Sequence, residues 1–210
     1  MKVRNNANIE KMDDKTINTY NLLATDYDNE TIDFWERFPP TIINEFVSNT
    51  KKLGRVLNVG SGPGRDGLIL QKNGLDVTCL DASEAMVKMC KERGLISLVG
   101  DFNKMPFENE VFDGVWAYTS LLHVPKEKID ISMSEIVRVL KKGGVLGLGL
   151  IEGDFNDYRE SSGVGMPRWF SFYTKEEVEK LLQKFGFEIV HFEQFKPASK
   201  NYLNFIARLK

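Results

Sequence analysis

The sequence predicts an α/β protein with a doubly wound sheet of about seven strands, mostly parallel, that ends in a C-terminal antiparallel hairpin and follows an N-terminal helical lid. From residue 55 onwards, apolar strand-like runs alternate with helical segments over short connections. Such alternation is typical of a parallel sheet covered by helices. At the C-terminus two β-rich runs follow each other with no helix between them, and strands joined in that way pair antiparallel.

The boundaries of the core elements follow from the change of hydrophobic period along the chain. The predicted strands are Val56–Val59, Asp76–Leu80, Leu95–Val99, Phe112–Tyr118 and Val145–Ile151, with Phe187–Phe195 and Tyr202–Leu209 as the terminal hairpin. The predicted helices are Asp66–Asn73, Ser83–Arg93, Lys126–Leu140 and Thr174–Phe185. Ser83 and Thr174 are suitable N-caps because their hydroxyl oxygens can accept from first-turn N–H groups, and Glu177 stands at the capping-box position.

The residues before the first strand have a helical pattern. Thr16–Tyr27 and Thr31–Val47 carry apolar residues at the three- and four-residue spacings of helices. Pro39–Pro40 is expected to break the second stretch and to begin a new helix. We therefore expect all 210 residues to form one domain, in which residues 1–50 are a lid segment and residues 51–210 the α/β core.

Composition and charge argue against several classes of protein. The formal net charge is −2 and no long basic run occurs, as a dedicated nucleic-acid binder would show, although the 28 Lys and Arg residues still allow a patch that forms on folding. No apolar run reaches the roughly 18 residues of a membrane span, and the polar start lacks a signal core, so a cytoplasmic protein is expected. Two cysteines and two histidines without ligand spacing predict no metal site.

A glycine-rich loop, Gly60–Asp66, follows the first predicted strand. Glycines at alternate positions allow a tight turn and let a ligand approach the backbone. The helix that follows presents free N–H groups, which suit a phosphate or a carboxylate. A turn that only connects a strand to a helix would also use glycine. The residues around the loop must therefore show whether it binds a ligand.

Asp81 stands at the end of the second predicted strand. In doubly wound folds an acid at this place can accept hydrogen bonds from both hydroxyls of a ribose. Its alternative role is that of a solvated residue at the start of the Ser83 helix. Together with the glycine loop, Asp81 favours a bound nucleoside over a purely structural turn.

Two nucleoside cofactors compete at this point. The segment Gly62–Gly67 matches G-x-G-x-x-G, which would make the protein an NAD-dependent oxidoreductase. However, the first glycine of that fingerprint directly follows its strand. Here the strand ends at Val59 and the loop begins at Gly60, from which the pattern is G-x-G-x-G. The NAD interpretation is therefore kept as the alternative.

From about Tyr20 to the C-terminus the sequence resembles the class I methyltransferases of the small-molecule type, whose fold is Rossmann-like. Four ordered segments carry the resemblance: Val56–Gly64, Leu80–Met86, Gly100–Phe107 with Phe112–Val115, and Glu135–Gly144. The terminal hairpin agrees with the fold of this family. The resemblance implies an enzyme that uses S-adenosyl-L-methionine.

The resemblance also implies roles for individual residues. Those placed against the cofactor are Gly60, Ser61, Gly62 and Gly64 at the methionine half, Asp81 at the ribose, Ala82 and Met86 near the adenine, Asp101 as acceptor of the adenine amino group and Phe102 as backbone donor to the ring. In each case loop chemistry or core packing is the alternative. One departure stands out, because many relatives carry an acid at the position of Asn58.

Methyl transfer from a sulfonium is a direct displacement, so the protein must align the reactants and exclude water, but it needs no fixed acid or base. His123 is the best candidate for a general base, since it follows the fourth strand at the ligand-binding edge. Shaping the pocket or capping the next helix is its alternative role. Tyr118 is a second candidate, as a pocket wall or hydrogen-bond donor.

Two further segments are expected to enclose the site. Tyr20–Asp28 resembles the lid helix of the family, which makes Tyr20 and Tyr27 candidate cofactor contacts, because aromatic faces suit a sulfonium cation. We expect the lid, with its aromatic residues Tyr20, Tyr27, Phe34, Trp35 and Phe38, to close over the cofactor and form a wall of the acceptor pocket. Glu152–Pro167 and the aromatic run Arg168–Tyr173 are expected to form a substrate loop, made mobile by glycines such as Gly163, or else a hydrophobic anchor.

The acceptor is expected to be a small molecule. Enzymes that methylate amino groups of nucleic acids often carry Asp/Asn-Pro-Pro-aromatic after the fourth strand, where this chain has Tyr118–Leu121. A protein or RNA acceptor stays open. A non-catalytic protein that only binds S-adenosylmethionine is a further alternative.

Overall fold

The computed structural model describes residues 14–37, 41–160, 165–197 and 199–210. The expected helix break at Pro39–Pro40, the lid residue Phe38 and the loop residue Gly163 lie outside the described residues.

The described helices and strands alternate from β1 onwards. The helices are α1 (Asp14–Leu22), α2 (Ala24–Glu30), α3 (Phe34–Arg37), α4 (Thr41–Asn49), α5 (Arg65–Lys72), α6 (Glu84–Glu92), α7 (Ile129–Val139) and α8 (Lys175–Lys184). The strands are β1 (Arg55–Val59), β2 (Asp76–Asp81), β3 (Ile96–Val99), β4 (Phe112–Tyr118), β5 (Leu140–Ile151), β6 (Asn156–Glu160), β7 (Pro167–Ser171), β8 (Phe187–Phe195) and β9 (Tyr202–Leu209).

One seven-stranded sheet carries the fold, in the order β3-β2-β1-β4-β5-β9-β8. The strands β1 to β5 are parallel, and β9 pairs antiparallel with both β5 and β8. The predicted doubly wound sheet with a terminal antiparallel hairpin is confirmed. From β1 the chain proceeds outwards to β2 and β3, and it then returns to β4 on the other side. The carboxyl ends of β1 and β4 therefore flank the crevice in which such sheets bind ligands.

Both faces of the sheet are covered, because successive side chains of a strand point to opposite sides. Val56 and Trp116 pack in one cluster with Ile42, Phe46 and the other apolar side chains of α4 and α5. Leu57 packs in the other cluster, which contains the apolar side chains of α7 and α8. This two-sided burial explains why the central strands read as almost continuous apolar runs.

Two glycines of β5 make room for two aromatic rings of β4. Trp116 pairs with Gly147 and Tyr118 with Gly149, and the two rings stack with centroids 5.4 Å apart. A Cβ atom would lie 2.4 Å from the Trp116 ring at position 147 and 2.4 Å from the Tyr118 ring at position 149. The small residues of β5 therefore allow both rings to lie across the neighbouring strand.

The observed elements correct the sequence-based boundaries at three places. The long helix begins at Ile129, after a 3-10 turn at Lys126–Lys128, and it ends at Val139, because Leu140 is already extended and opens β5. The first lid stretch is divided at Leu23 into α1 and α2. The predicted Thr31–Val47 helix has a turn before α3, which begins at Phe34.

A two-stranded hairpin, β6–β7, occupies much of the segment that was expected to be a mobile loop. Four of the five residues of β6, Asn156–Glu160, are polar, and most are exposed. The alternation of apolar and polar residues that predicts a strand is therefore absent. This segment is a strand because its backbone pairs with β7. Across the part of the chain that the structure describes, no helix has the length and apolar character that crossing a membrane requires.

The contact between Gly149 and Tyr118 can be tested by a double-mutant cycle. We expect Gly149→Ala to lower the free energy of unfolding by about 1–3 kcal/mol, because the added Cβ overlaps the Tyr118 ring. In a background of Tyr118→Ala the same change should cost much less, since the ring is gone. Denaturant titration of the four proteins measures both effects. Equal costs in the two backgrounds would show that the ring does not require the glycine.

Candidate functional site

A cavity of about 330 Å³ opens at the carboxyl ends of the central strands, under the lid helices. Most of the predicted site residues come together in its wall. These are Tyr20, Tyr27, Gly60, Ser61, Gly62, Asp81, Ala82, Met86, Phe102, Tyr118 and His123. Residues that are far apart in the sequence thus converge on one space.

Two predicted site residues lie outside the lining of this cavity. Gly64 is the N-cap of α5 and has a φ of 91°, and a Cβ there would lie 2.6 Å from Leu95 and 2.9 Å from the Cys90 sulfur. Glycine is needed at this position because the loop packs closely against α6 and Leu95, the residue before β3. The Asp101 carboxylate accepts a hydrogen bond from the Asn103 N–H at 2.8 Å, within the turn after β3.

The glycine loop is fixed by its backbone. The N–H groups of Gly60 and Ser61 both donate to the Leu80 carbonyl, at 2.8 and 3.1 Å. Gly60 has a φ of 63°, and a Cβ there would lie 2.3 Å from the Cβ of Ser120. Gly62 has a φ of 53°, and its absent side chain would point towards the Tyr27 ring, 3.8 Å away. The loop therefore requires glycine both for its turn and for the close approach of neighbouring chains.

Asp81 connects the loop to the start of α6. One carboxylate oxygen accepts from the Gly62 N–H and the other from the Ser83 N–H, each at 2.8 Å. Burial raises the pKa of Asp81 to about 6, and the backbone donors oppose that rise. Ser83 is the N-cap, as predicted, with its Oγ accepting from Met86 at 3.2 Å. A carboxylate has about four acceptor positions, so Asp81 can still accept two further donors.

A second carboxylate, the half-buried Asp66, lines the same cavity from the first turn of α5. Its two oxygens accept from the indole N–H groups of Trp35, at 2.6 Å, and of Trp116, at 2.8 Å. Burial raises its pKa, and the indole donors and the charge of Arg65 oppose that shift. From the sequence, Asp66 was only an acidic residue at the start of a helix. Its role in the site was missed because Trp35 and Trp116, which bind it, are distant in the chain.

Asn58, at the position where many relatives carry an acid, does not reach the cavity lining. Its side chain is 2% exposed within β1, and its amide nitrogen has no hydrogen-bond partner among the described residues. The negative charge on this side of the cavity comes from Asp66 instead.

Three charged residues, Asp28, Arg65 and Arg93, hold the lid to the core and are called the lid clasp below. Asp28 in α2 forms ion pairs of 2.6 Å with Arg65 in α5 and with Arg93 after α6. All three side chains are largely buried, with 14–27% of their surface exposed. Arg65 also donates to the Thr31 hydroxyl at 2.6 Å. These contacts lie beside the glycine loop, so they fix the lid where it covers the cavity.

The lid also meets His123. The Tyr20 hydroxyl lies 2.7 Å from His123 Nε2, and His123 Nδ1 lies 2.6 Å from the Trp169 carbonyl oxygen. Because that carbonyl can only accept, Nδ1 carries the proton and Nε2 accepts from Tyr20. Arg168 in turn donates to the Tyr20 oxygen at 2.9 Å. Burial raises the pKa of Tyr20 although Arg168 opposes the shift, so the hydroxyl keeps its proton at neutral pH.

The β6–β7 hairpin forms the far wall of the cavity and supports α1. Thr19 donates to the Pro167 carbonyl, and the Trp169 N–H donates to the Thr16 hydroxyl, both at 2.9 Å. Arg168 and Phe170 of β7 line the cavity. The sequence pointed to this aromatic run as a possible part of the site but gave no sign of the strand pairing of β7 with β6 that brings Arg168 and Phe170 to the cavity. Within the described ranges, no group of three or more His, Cys, Asp or Glu side chains is placed to hold a metal ion.

Comparison with known proteins agrees with this architecture. Residues 57–148 match the family model of a methyltransferase domain. A methyltransferase of Burkholderia thailandensis, solved with 1,6-didemethyltoxoflavin and S-adenosylhomocysteine, superposes with a TM-score of 0.67 at 19% identity, over 98% of this chain and 93% of that one.

Two curated relatives are similar in sequence. Sterol 24-C-methyltransferase of Debaryomyces hansenii is 28% identical over 84% of this chain and 56% of its own length. Sarcosine/dimethylglycine N-methyltransferase of Aphanothece halophytica is 37% identical over 43% of this chain and 35% of its own length. The chain thus spans about half the length of these relatives or less. In its motifs, its fold and the matched residues 57–148, the chain is similar to the class I, S-adenosylmethionine-dependent methyltransferases.

Proposed function

We propose that this protein binds S-adenosylmethionine in the cavity and transfers its methyl group to a small-molecule acceptor by direct displacement. One observation carries the proposal: the Gly60–Gly62 turn, the Asp81 carboxylate and the aromatic residues of the lid all border the same cavity. The methyltransferase-domain match favours this cofactor over NAD.

The residues present fit the cofactor. Asp81 has acceptor capacity left for two ribose hydroxyls, and the open side of Gly62 admits a close ligand. Ala82, Met86 and Phe102 supply an apolar surface for the adenine. Asp66 offers the negative charge that would hold the amino group of the methionine half, in place of an acid at Asn58.

The bound cofactor supplies an electrophilic methyl group, and the protein aligns the acceptor with it. The rings of Tyr20 and Tyr27 meet edge to face with centroids 5.3 Å apart, and they cover the cavity from the lid side. Their faces suit a sulfonium cation and exclude water.

His123 keeps its proposed part in catalysis, but in a changed form. Its Nε2 is already the acceptor of the Tyr20 hydroxyl. A proton from the acceptor would therefore reach His123 through the oxygen of Tyr20, a residue that lines the cavity, and Arg168 would stabilise the charge on that oxygen. Tyr20 is then the contacting group and His123 the positioning group.

The dimensions of the cavity favour a compact acceptor. Small-molecule sites in proteins measure about 300–1,000 Å³, and the 330 Å³ here must accommodate the cofactor as well. The two curated relatives are named for acceptors as different in size as a sterol and an amino acid. A cavity of this volume fits the smaller class.

The function is tested by calorimetric titration with S-adenosylhomocysteine, S-adenosylmethionine and NAD, followed by a methyl-transfer screen with a metabolite extract. We expect the first two ligands to bind, and NAD to give no heat of binding. Turnover in the screen separates an enzyme from a protein that only binds the cofactor. Tight binding of NAD alone would falsify the proposal.

Asp81→Asn is expected to weaken S-adenosylhomocysteine binding roughly ten- to hundredfold, because a charge-assisted pair of hydrogen bonds contributes on the order of 1.5–3 kcal/mol. Calorimetry measures the loss, and circular dichroism checks that the fold is intact. Ser97→Ala, a buried substitution away from the cavity lining, is the matched control. Unchanged affinity in Asp81→Asn would leave Asp81 as a residue of the α6 start only.

The raised pKa of Asp81 also predicts a pH dependence of stability. The folded state binds a proton near pH 6 and the unfolded state near pH 4, so the free energy of unfolding contributed by this group is greatest below pH 4 and declines as the pH rises to 6. The decline should be on the order of 1–3 kcal/mol in the apoprotein and smaller in Asp81→Asn. Urea titrations at several pH values measure it, and equal slopes in both proteins would contradict the assignment.

The lid clasp predicts ligand-linked closure. We expect S-adenosylhomocysteine to slow hydrogen exchange in Thr16–Arg37 as well as around Gly60 and Asp81. Asp28→Asn should speed exchange in the lid and weaken ligand binding roughly tenfold, or ~1.4 kcal/mol. Asp33→Asn is the control, because its ion pair with Arg37 is exposed. If the ligand slows hydrogen exchange only around Gly60 and Asp81, the lid does not close over the ligand and has a purely structural role.

A further inference from the structure

The carboxylates that line the cavity all lie on one side of it. On the side formed by α2, α3 and the loops after β1 and β2, the lining contains the carboxylates Glu30, Asp66 and Asp81. Arg37 and Arg65 also line this side, but each forms an ion pair with an acid outside the lining, Asp33 and Asp28 respectively. From β4 onwards, the described lining residues include the cations Arg168 and Lys200 and no carboxylate. The acidic side suits a cofactor with a sulfonium, an ammonium and a ribose. The basic side lies where the acceptor would enter.

Arg168 is held in place by aromatic rings. Its side chain belongs to β7 and is 7% exposed. The guanidinium carbon lies 5.1 Å from the centroid of the Tyr20 ring, 5.3 Å from that of Phe170 and 6.0 Å from that of Tyr27. Ring faces stabilise a cation without adding a negative charge, so the guanidinium brings a positive potential to the cavity.

Lys200 reinforces that potential from the connection between β8 and β9. It lines the cavity. Its pKa is lowered first by the partial desolvation of its ammonium group, and then by the positive charges of Arg159 and Arg168. Repulsion between neighbouring cations disfavours their charged forms, and a bound anion would relieve it.

We propose that the methyl acceptor carries an anionic oxygen group, a carboxylate or a phosphate, which is bound by Arg168 and Lys200 on the basic side of the cavity. This inference rests on the function proposed above, since it names the acceptor class of the same site. A planar guanidinium binds either group with two parallel hydrogen bonds, and an ammonium adds a point charge. Ile151 and Phe170 offer apolar surface to the remainder of a compact molecule.

Binding of the acceptor's anionic group would orient its reacting atom. Tyr20 donates to His123 and accepts from Arg168, so the anion site and the site of proton removal share one side chain. An acceptor fixed by its anion at Arg168 presents its reacting atom beyond Tyr20, towards the acidic side where the cofactor lies. Alignment of this kind is what a direct displacement requires.

The test uses the full chain saturated with S-adenosylhomocysteine and two anion probes, inorganic phosphate and acetate, with acetamide as the neutral analogue. Binding is followed by the indole N–H signals in NMR spectra, since Trp169 adjoins Arg168 in the chain. We expect one or both anions to bind saturably and acetamide not to bind. Which anion binds more tightly tells whether the acceptor group is a phosphate or a carboxylate.

Two variants and a control assign the site. Lys200→Gln and Arg168→Gln should each weaken anion binding at least tenfold. Lys200→Gln should also leave S-adenosylhomocysteine affinity within about twofold of wild type, because Lys200, unlike Arg168, has no part in the proposed contacts to the cofactor. Lys196→Gln removes the same charge from an exposed position of the same connection that does not line the cavity, and it should change neither. Lys200 is exposed, so its variant decides the question even if Arg168→Gln fails to fold.

Three results overturn the inference. One is the absence of saturable anion binding to the wild type, and another is anion binding that both variants retain. The third is a loss of S-adenosylhomocysteine affinity in Lys200→Gln that equals the loss of anion binding, because the two cations would then hold the carboxylate of the cofactor. Failure of the wild type to bind S-adenosylhomocysteine at all refutes the proposed function instead and is measured separately, before any anion is added.

Discussion

The site depends on a single half-buried carboxylate, that of Asp66, with two indole donors. Asp66 lies in the first turn of α5, Trp116 belongs to β4, and Trp35 belongs to the lid. A buried carboxylate needs donors for its oxygens, and leaving one unsatisfied costs more than the hydrogen bond contributes. The need of Asp66 for both indoles therefore joins helix, sheet and lid at one point. Trp116 can supply its indole there because Gly147 leaves space for the ring.

The electrostatics of the cavity follow from that arrangement. Asp66 and Asp81 make one side negative, and burial raises the pKa of both. A cationic or hydrogen-bond-donating ligand would therefore stabilise the ionised form of each carboxylate, because it would replace the water that the fold excludes. Arg168, held among aromatic rings, makes the opposite side positive. A cavity with this polarity orders two ligands of different charge before any specific contact is considered.

The sequence was sufficient to predict the sheet, because the strands that carry it are apolar runs bounded by glycines or N-caps, and the terminal hairpin matched its predicted bounds at Phe187–Phe195 and Tyr202–Leu209. It also predicted that the Gly60–Gly62 loop and Asp81 would border the cavity, because both follow the carboxyl ends of predicted strands. It did not predict the hairpin containing Asn156–Glu160, whose polar residues become a strand only through their partner. Nor did it predict the contacts of Asp66 or Arg168, which depend on side chains from distant segments.

Among the residues that the structure describes, the β6–β7 hairpin forms a separate two-stranded sheet and makes no ladder pairing with the seven-stranded one. Its residues can change without shifting the register of the central strands, whereas a change in β5 or β9 alters two neighbours at once. The cavity thus has a wall whose strand pairing is independent of the central sheet, although Arg168, Phe170 and Ser171 of that wall are buried. Divergence of acceptor preference within such a fold can proceed through the exposed positions of β6 while the buried residues of β7 are kept.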